Sequence, residues 1–183
     1  MNLPNKLTVF RVILVPFFVA LMLLQTIPGH WLLALAVFAA ASLTDLLDGR
    51  IARKYNLITN FGKFMDPLAD KILVMSALIC FIPCFGLTPV VVIIVMAREF
   101  LVTSLRLVAS SAGVVIAADG WGKVKTATTM VWICLTLLMA GLGVGGAVFT
   151  AVYTLGAVLA TVLTVVSGAN YMVKNRALLS PDR

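Results

Sequence analysis

The chain has 183 residues, 62% of them hydrophobic and only 11% charged, with a formal net charge of +7. Soluble domains carry about 25% charged residues, so a water-soluble globular fold is excluded on composition alone. The basic balance does not point to nucleic acid, because no soluble basic domain is present to hold it.

Apolar runs follow one another along the chain, each near the roughly 20 residues that a helix needs to cross a bilayer. The first, about residues 7–26, is as long as a full crossing and has no small-residue cleavage site, so it reads as a helix that stays in the membrane. Ile27-Pro28-Gly29 ends it. The second covers about 31–53, with His30 and Trp31 at its start as members of an interfacial belt. A short loop, about 55–61, leads to the third at 64–84, and the turn from Cys84 to Pro89 leads to the fourth at 88–111. The fifth and sixth, about 122–142 and 147–172, are joined by the glycine-rich Gly141–Gly146. That glycine run matches a dinucleotide fingerprint in letters only, since no strand precedes it. Cys80, Cys84 and Cys134 lie in apolar runs and read as buried thiols, not as a disulfide or zinc site. The runs are too long and too little alternating for a β-barrel. The expectation is an all-α polytopic membrane protein of six transmembrane helices, folded as a single domain over 1–183.

Lysine and arginine set the orientation. Residues 26–31, 83–89 and 141–149 contain neither, whereas Lys6, Arg11, Arg50, Arg53, Lys54, Lys63, Arg106, Lys123, Lys125, Lys174, Arg176 and Arg183 fall towards the opposite side. By the positive-inside rule both termini and the two longer loops are cytoplasmic. A basic rim of this kind attracts anionic lipids and phosphorylated substrates.

Four of the seven acidic residues sit between positions 45 and 70. Asp45 and Asp48 are three apart, Asp66 and Asp70 four apart, so on helices each pair shares one face. The short loop between the second and third spans brings both pairs to one depth, just under the cytoplasmic surface. At about 6 Å and an effective dielectric near 20, each ionised pair repels by roughly 3 kcal/mol, so cations must lie among them. Two readings fit. Arg50, Arg53, Lys63 and Lys71 form a salt-bridge network, or the all-oxygen cluster holds two hard divalent ions, Mg²⁺ or Mn²⁺. Ionisable groups within spans are expensive and usually functional, which favours the metals. Gly49, Ala52 and Gly62 leave backbone uncovered beside the acids, either for a bulky ligand or for close helix packing. Arg53 reaches a phosphate oxygen or snorkels to headgroups.

The run Asp45-x-x-Asp48-Gly49-x-x-Ala52-Arg53, eight residues, then Gly62-x-x-x-Asp66-x-x-x-Asp70 resembles the full signature of the CDP-alcohol phosphotransferase family. The resemblance implies a homodimeric membrane enzyme that transfers a substituted phosphate from a CDP-linked donor to an alcohol and releases CMP. It implies Asp45, Asp48, Asp66 and Asp70 as ligands of two divalent cations, with Asp70 also the base that takes the acceptor's proton. Gly49, Ala52, Arg53 and Gly62 would line the CDP pocket.

The opening Asn2-Leu3-Pro4-Asn5-Lys6-Leu7-Thr8, with Arg11, and the run Gly62–Lys71 resemble the bacterial branch of that family that joins CDP-diacylglycerol to sn-glycerol 3-phosphate. This implies a multi-pass protein of a bacterial inner membrane, its site facing the cytoplasm, with membrane lipids as its surroundings. Asn5 and Thr8 are then expected at the nucleotide, with Arg11 reaching the same side, while capping the first helix and neutralising lipid phosphates suit Thr8 and Arg11 equally well. A phosphorylated acceptor needs cations, and Arg106, Lys123 and Lys125 are the candidates; Lys123 and Lys125 also suit membrane-surface anchors. Arg98 pairs with Glu99 or Asp119 in a structural role. Inositol phosphate, serine or phosphatidylglycerol as acceptor would use the same donor chemistry. A divalent-cation transporter is the non-enzyme rival, disfavoured because the acids gather at one side. Intramembrane prenyl transfer, which also uses aspartate-bound Mg²⁺, usually needs other acid spacing.

Overall fold

The computed structural model describes residues 3–54, 60–111, 113–114, 116 and 119–176, and the side chains of 5–44, 65, 68–69, 71–110, 113–114, 116 and 119–176. Among the described residues the chain forms six α-helices and no strand: α1 (Leu3–Leu23), α2 (His30–Lys54), α3 (Asn60–Phe85), α4 (Pro89–Ser111), α5 (Gly120–Gly141) and α6 (Gly146–Lys174). Each coincides with one of the apolar runs. α3 starts earlier than its hydropathy suggests, because Asn60 and Phe61 already belong to it.

Within the described residues Asn5–Leu23, Gly120–Gly141 and Gly146–Lys174 are long and apolar enough to cross a membrane, and His30–Thr44 and Lys71–Phe85 are shorter apolar stretches. Large apolar side chains are exposed on these helices and on α4, Phe17, Ile93, Phe100, Leu107 and Leu155 among them. These are the surfaces of a membrane protein. Because lipid tails are as apolar as leucine, packing and internal hydrogen bonds, more than water expulsion, hold such helices together.

The chain divides into two compact units, Met1–Leu87 with Ile133–Phe149, and Thr88–Trp132 with Thr150–Arg183. In the first, α1 packs on α2 and α3. Phe18 and Phe38 meet with ring centroids 5.7 Å apart, and both are fully buried. α3 presents Ala69, Leu73, Ala77 and Phe81, one buried residue per turn. At the other end His30 Nδ1 donates to the Leu21 carbonyl (3.1 Å), and its ring stacks on Trp31 at 4.1 Å. Trp31 in turn meets Phe85 at 4.9 Å. The Cys84 thiol donates to the Met22 carbonyl (3.4 Å), and all three cysteines are free. Just past the end of α5 at Gly141, Gly143 takes a φ of 69°, and the Gly143 and Val144 amides turn back to the carbonyls of Ala140 and Met139.

In the second unit Val102, Leu105 and Tyr171 form a core to which Ile116 and Met172 add. α6 buries Ala160, Thr164, Ser167 and Tyr171, a stripe at helical spacing. The buried Thr164 and Ser167 hydroxyls bond within the helix, Thr164 Oγ1 to the Ala160 carbonyl (2.6 Å) and Ser167 Oγ to that of Thr164 (3.1 Å). Gly156 lies against the indole of Trp132 so closely that a Cβ there would collide with the ring. α4 ends as α5 does, with Gly113 at φ 74° and the Val114 amide donating to the Ala109 carbonyl (2.8 Å).

Candidate active site

α2 is unbroken from His30 to Lys54 and α3 from Asn60 to Phe85. Asp45 and Asp48 therefore occupy helical positions three apart near the end of α2, and Asp66 and Asp70 positions four apart in the first turns of α3, so each pair falls on one helix face. α2 and α3 touch within the first unit. The side chains of these four aspartates, and those of Ala52 and Arg53 with the surroundings of Gly49 and Gly62, lie outside the described residues. Among the described residues no group of three or more histidine, cysteine or acidic side chains gathers to hold a metal. The donor set itself fits hard cations: four carboxylates bring only oxygen ligands and a surplus of negative charge, with no sulfur or imidazole to favour a softer ion.

The neighbouring face of α1 is unusually polar for its position. Asn5, Thr8 and Arg11 are all buried, Thr8 and Arg11 completely. Arg11 Nε donates to the carbonyl of Ala41 (3.2 Å), which also accepts from Thr44 Oγ1 (2.7 Å). Ala41 stands one helical turn before Asp45, so a buried guanidinium is fastened to α2 beside the acidic segment. Thr8 lies inside α1, which begins at Leu3, and so does not cap it. Burying three polar residues in a helix otherwise made of Val, Ile, Leu and Phe is costly unless they bond or serve a polar ligand.

The cations expected for the acceptor belong to the second unit and have different surroundings. Lys125 is only 3% exposed, and its Nζ donates to Glu99 Oε1 at 2.9 Å. Arg98 Nη1 donates to the same oxygen at 2.8 Å, so Glu99 is the carboxylate that Arg98 takes. Gly168 and Gly122 make room for Arg98: a Cβ on Gly168 would meet its Cγ at 3.0 Å, and one on Gly122 its Nη2 at 3.2 Å. Lys123 is exposed. Arg106 is exposed too, its Nε donating to the Tyr171 hydroxyl at 3.1 Å and its Cζ lying 5.6 Å from the ring centroid.

Asp119 stands directly before α5 and accepts from Asn170 Nδ2 (2.8 Å) and Lys174 Nζ (2.9 Å), both from the last turns of α6. The Lys174 bond, with smaller help from Asn170 and the Gly120 amide, holds the Asp119 carboxyl below the usual aspartate range. Tyr171, Asn170 and Lys174 did not stand out in the sequence. The available signal was the set of polar residues on α6 repeating at helical spacing in an apolar span.

Among the described residues three helices are long and apolar enough to cross a membrane, and α2 and α3 carry four aspartates in two pairs at helical spacing. A model of the CDP-alcohol phosphatidyltransferase family matches residues 1–172, and the chain belongs to that family. Among its relatives is the Bacillus subtilis CDP-diacylglycerol–glycerol-3-phosphate 3-phosphatidyltransferase, 43% identical over 95% of this chain and 95% of its own length. Proteins of the same name from Rickettsia typhi and Haemophilus influenzae are 35% identical over 93% of this chain and 94% of theirs, and 40% identical over 70% and 71%.

Proposed function

We propose that this chain transfers the phosphatidyl group of CDP-diacylglycerol to sn-glycerol 3-phosphate, giving phosphatidylglycerol phosphate and CMP. The carrying observation is the near full-length similarity to relatives named for that activity, which runs through the acidic motif. The acceptor's hydroxyl oxygen forms a bond to the phosphorus that bears diacylglycerol, the bond from that phosphorus to CMP breaks, and Asp70 takes the hydroxyl proton. Asp45, Asp48, Asp66 and Asp70 supply the oxygens for two divalent cations, Mg²⁺ or Mn²⁺. Such ions neutralise a diphosphate and its departing phosphate. Asn5, Thr8, Gly49, Ala52, Arg53 and Gly62 receive the CDP moiety, a role that the buried polar face of α1 supports for Asn5 and Thr8.

Arg106, Lys123 and Lys125 take the acceptor's phosphate. Exposed Arg106 and Lys123 meet it directly, while Lys125, fastened to Glu99, adds positive potential. All six helices cross the bilayer of a bacterial inner membrane, with both termini and the site on the cytoplasmic side. The absence of lysine and arginine from residues 26–31, 83–89 and 141–149 supports that orientation. Residues 1–183 work as one catalytic domain, since a single family model runs through both units, and two copies form a homodimer, for which exposed apolar residues of α6 such as Leu155, Val158 and Val162 provide a surface.

The test is CMP release by purified protein in detergent with CDP-diacylglycerol and Mg²⁺, with and without glycerol 3-phosphate. Release that needs this acceptor and stops with chelator is expected. Release only with another alcohol would replace the acceptor, and none with any alcohol would refute the reading.

A further inference from the structure

Arg106 is exposed and, among the described residues, has no carboxylate partner, unlike Arg98, Lys125 and Lys174 of the same unit, which pair with Glu99 or Asp119. A solvated arginine at a helix surface normally samples many rotamers, and a cation meant to grip a phosphate would lose that freedom on binding. Here the guanidinium is held instead by a neutral group. The Tyr171 hydroxyl accepts from Nε at 3.1 Å, and the Tyr171 ring is fixed in place, 2% exposed and packed with Val102, Leu105, Ile116 and Met172. Because the guanidinium is planar, anchoring Nε sets its plane and leaves the edge formed by Nη1 and Nη2, the geometry that binds two phosphate oxygens at once. A carboxylate in place of the tyrosine would hold the arginine as firmly but would cancel the charge that a phosphate needs.

We propose that Tyr171 is a positioning residue for the acceptor: it orients Arg106 so that the guanidinium is preformed for a phosphate monoester dianion. The proposal rests on Arg106 being an acceptor ligand, as inferred above. The same turns of α6 reinforce it. Asn170 and Lys174, the residues beside and one turn beyond Tyr171, fasten Asp119 at the start of α5, the helix that carries Lys123 and Lys125. The carboxy-terminal end of α6 thus ties down both elements that bear the acceptor's cations, although it carries none of the predicted acceptor residues itself.

The experiment measures KM for glycerol 3-phosphate and for CDP-diacylglycerol, with kcat, on the full chain in detergent for Tyr171→Phe, Arg106→Ala and the double variant. Loss of one hydrogen bond to a charged group predicts that Tyr171→Phe raises KM for glycerol 3-phosphate roughly tenfold. Its KM for the lipid should stay within about twofold and kcat should change less than the acceptor KM, a split that general loosening of the fold would not give. In the Arg106→Ala background Tyr171→Phe should add nothing, because the tyrosine acts through the arginine. Arg106→Lys, which keeps the tyrosine and the charge but loses the planar fork, should raise the acceptor KM by a similar factor and serves if Tyr171→Phe does not fold. A native acceptor KM in Tyr171→Phe, or in Arg106→Lys where that variant stands in, overturns the proposal while Arg106→Ala still impairs the acceptor; so do additive effects in the double variant. If Arg106→Ala leaves the acceptor KM unchanged, the assignment of Arg106 itself fails, and the role of Tyr171 with it.

Discussion

Glu99→Gln tests how the buried cations of the second unit are held. One carboxylate oxygen accepts from Arg98 at 2.8 Å and Lys125 at 2.9 Å, and the two side chains are only 12% and 4% exposed. Glutamine keeps the shape and a carbonyl acceptor but removes the charge, leaving two cations within about 6 Å of each other, whose mutual repulsion at an effective dielectric near 20 is roughly 3 kcal/mol. That agrees with the roughly 3–5 kcal/mol lost when one partner of a buried ion pair is removed. For a chain of this length each kcal/mol moves the melting point by about 2–4 °C, so a fall on the order of 10 °C is expected. Lys125→Met should cost much less, because it leaves Arg98 and Glu99 as a neutral pair and replaces the lysine with an apolar chain of similar length. A thiol-reactive dye reads both melts directly, since Cys80, Cys84 and Cys134 are free and partly or fully buried. A Glu99→Gln melt within about 2 °C of the native one would show that water or lipid headgroups already neutralise these cations. A larger loss in Lys125→Met than in Glu99→Gln would refute the ranking.

Gly156→Ala drives a methyl group into the Trp132 indole, a rigid ring that cannot fold aside, and overpacking of this kind costs about 1–3 kcal/mol; the same dye melt should fall, while an unchanged melt would show that α6 shifts freely. Because Asp119 is held below the ordinary aspartate range, chiefly by the Lys174 bond, its contribution is complete above that range and is lost as pH falls through the lowered value. The melting-point gap between native protein and Asp119→Asn should therefore be constant near neutral pH and close below about pH 4, and a gap that widens on acidification would reverse the sign. Asp70→Asn should nearly abolish CMP release while CDP-lipid still binds, as read by equilibrium binding of the labelled lipid; turnover close to native would remove Asp70 as the base.

The helices were legible because an apolar run of near-membrane length leaves the backbone no alternative: its amides and carbonyls must bond within the segment. Glycines at positive φ, Gly86 and Gly143 among them, then follow the helix ends where the turn chemistry points. The acidic motif was legible for a different reason. Carboxylates in an apolar chain are too expensive to be incidental, and their spacing of three and four translates directly into shared helix faces. The sequence offered Glu99 or Asp119 for Arg98, and the structure takes Glu99, but what holds Lys125 and Arg106 was not legible. Arg98, Glu99 and Lys125 meet across α4 and α5, and Arg106 and Tyr171 across α4 and α6, 65 positions apart. Such pairs depend on helix rotation and crossing, which a tyrosine inside an apolar span does not announce.

The distribution of counter-charges carries the functional argument further than any single contact. Residues 88–132 and 150–176 contain six cations, Arg98, Arg106, Lys123, Lys125, Lys174 and Arg176, against two carboxylates, Glu99 and Asp119. Those two carboxylates are committed to Arg98, Lys125 and Lys174. Among the described residues the exposed Arg106 and Lys123 have no carboxylate partner, and Arg106 is held by a tyrosine, a group that anchors without neutralising. The acids of residues 45–70 lie on α2 and α3 together with Arg50, Arg53, Lys54, Lys63 and Lys71. A structural ion-pair network would interleave the two signs wherever it could, since each pairing lowers the cost of keeping a charge in an apolar chain. Leaving Arg106 and Lys123 without a carboxylate among the described residues keeps their charge available for a phosphorylated ligand, the role proposed for them above.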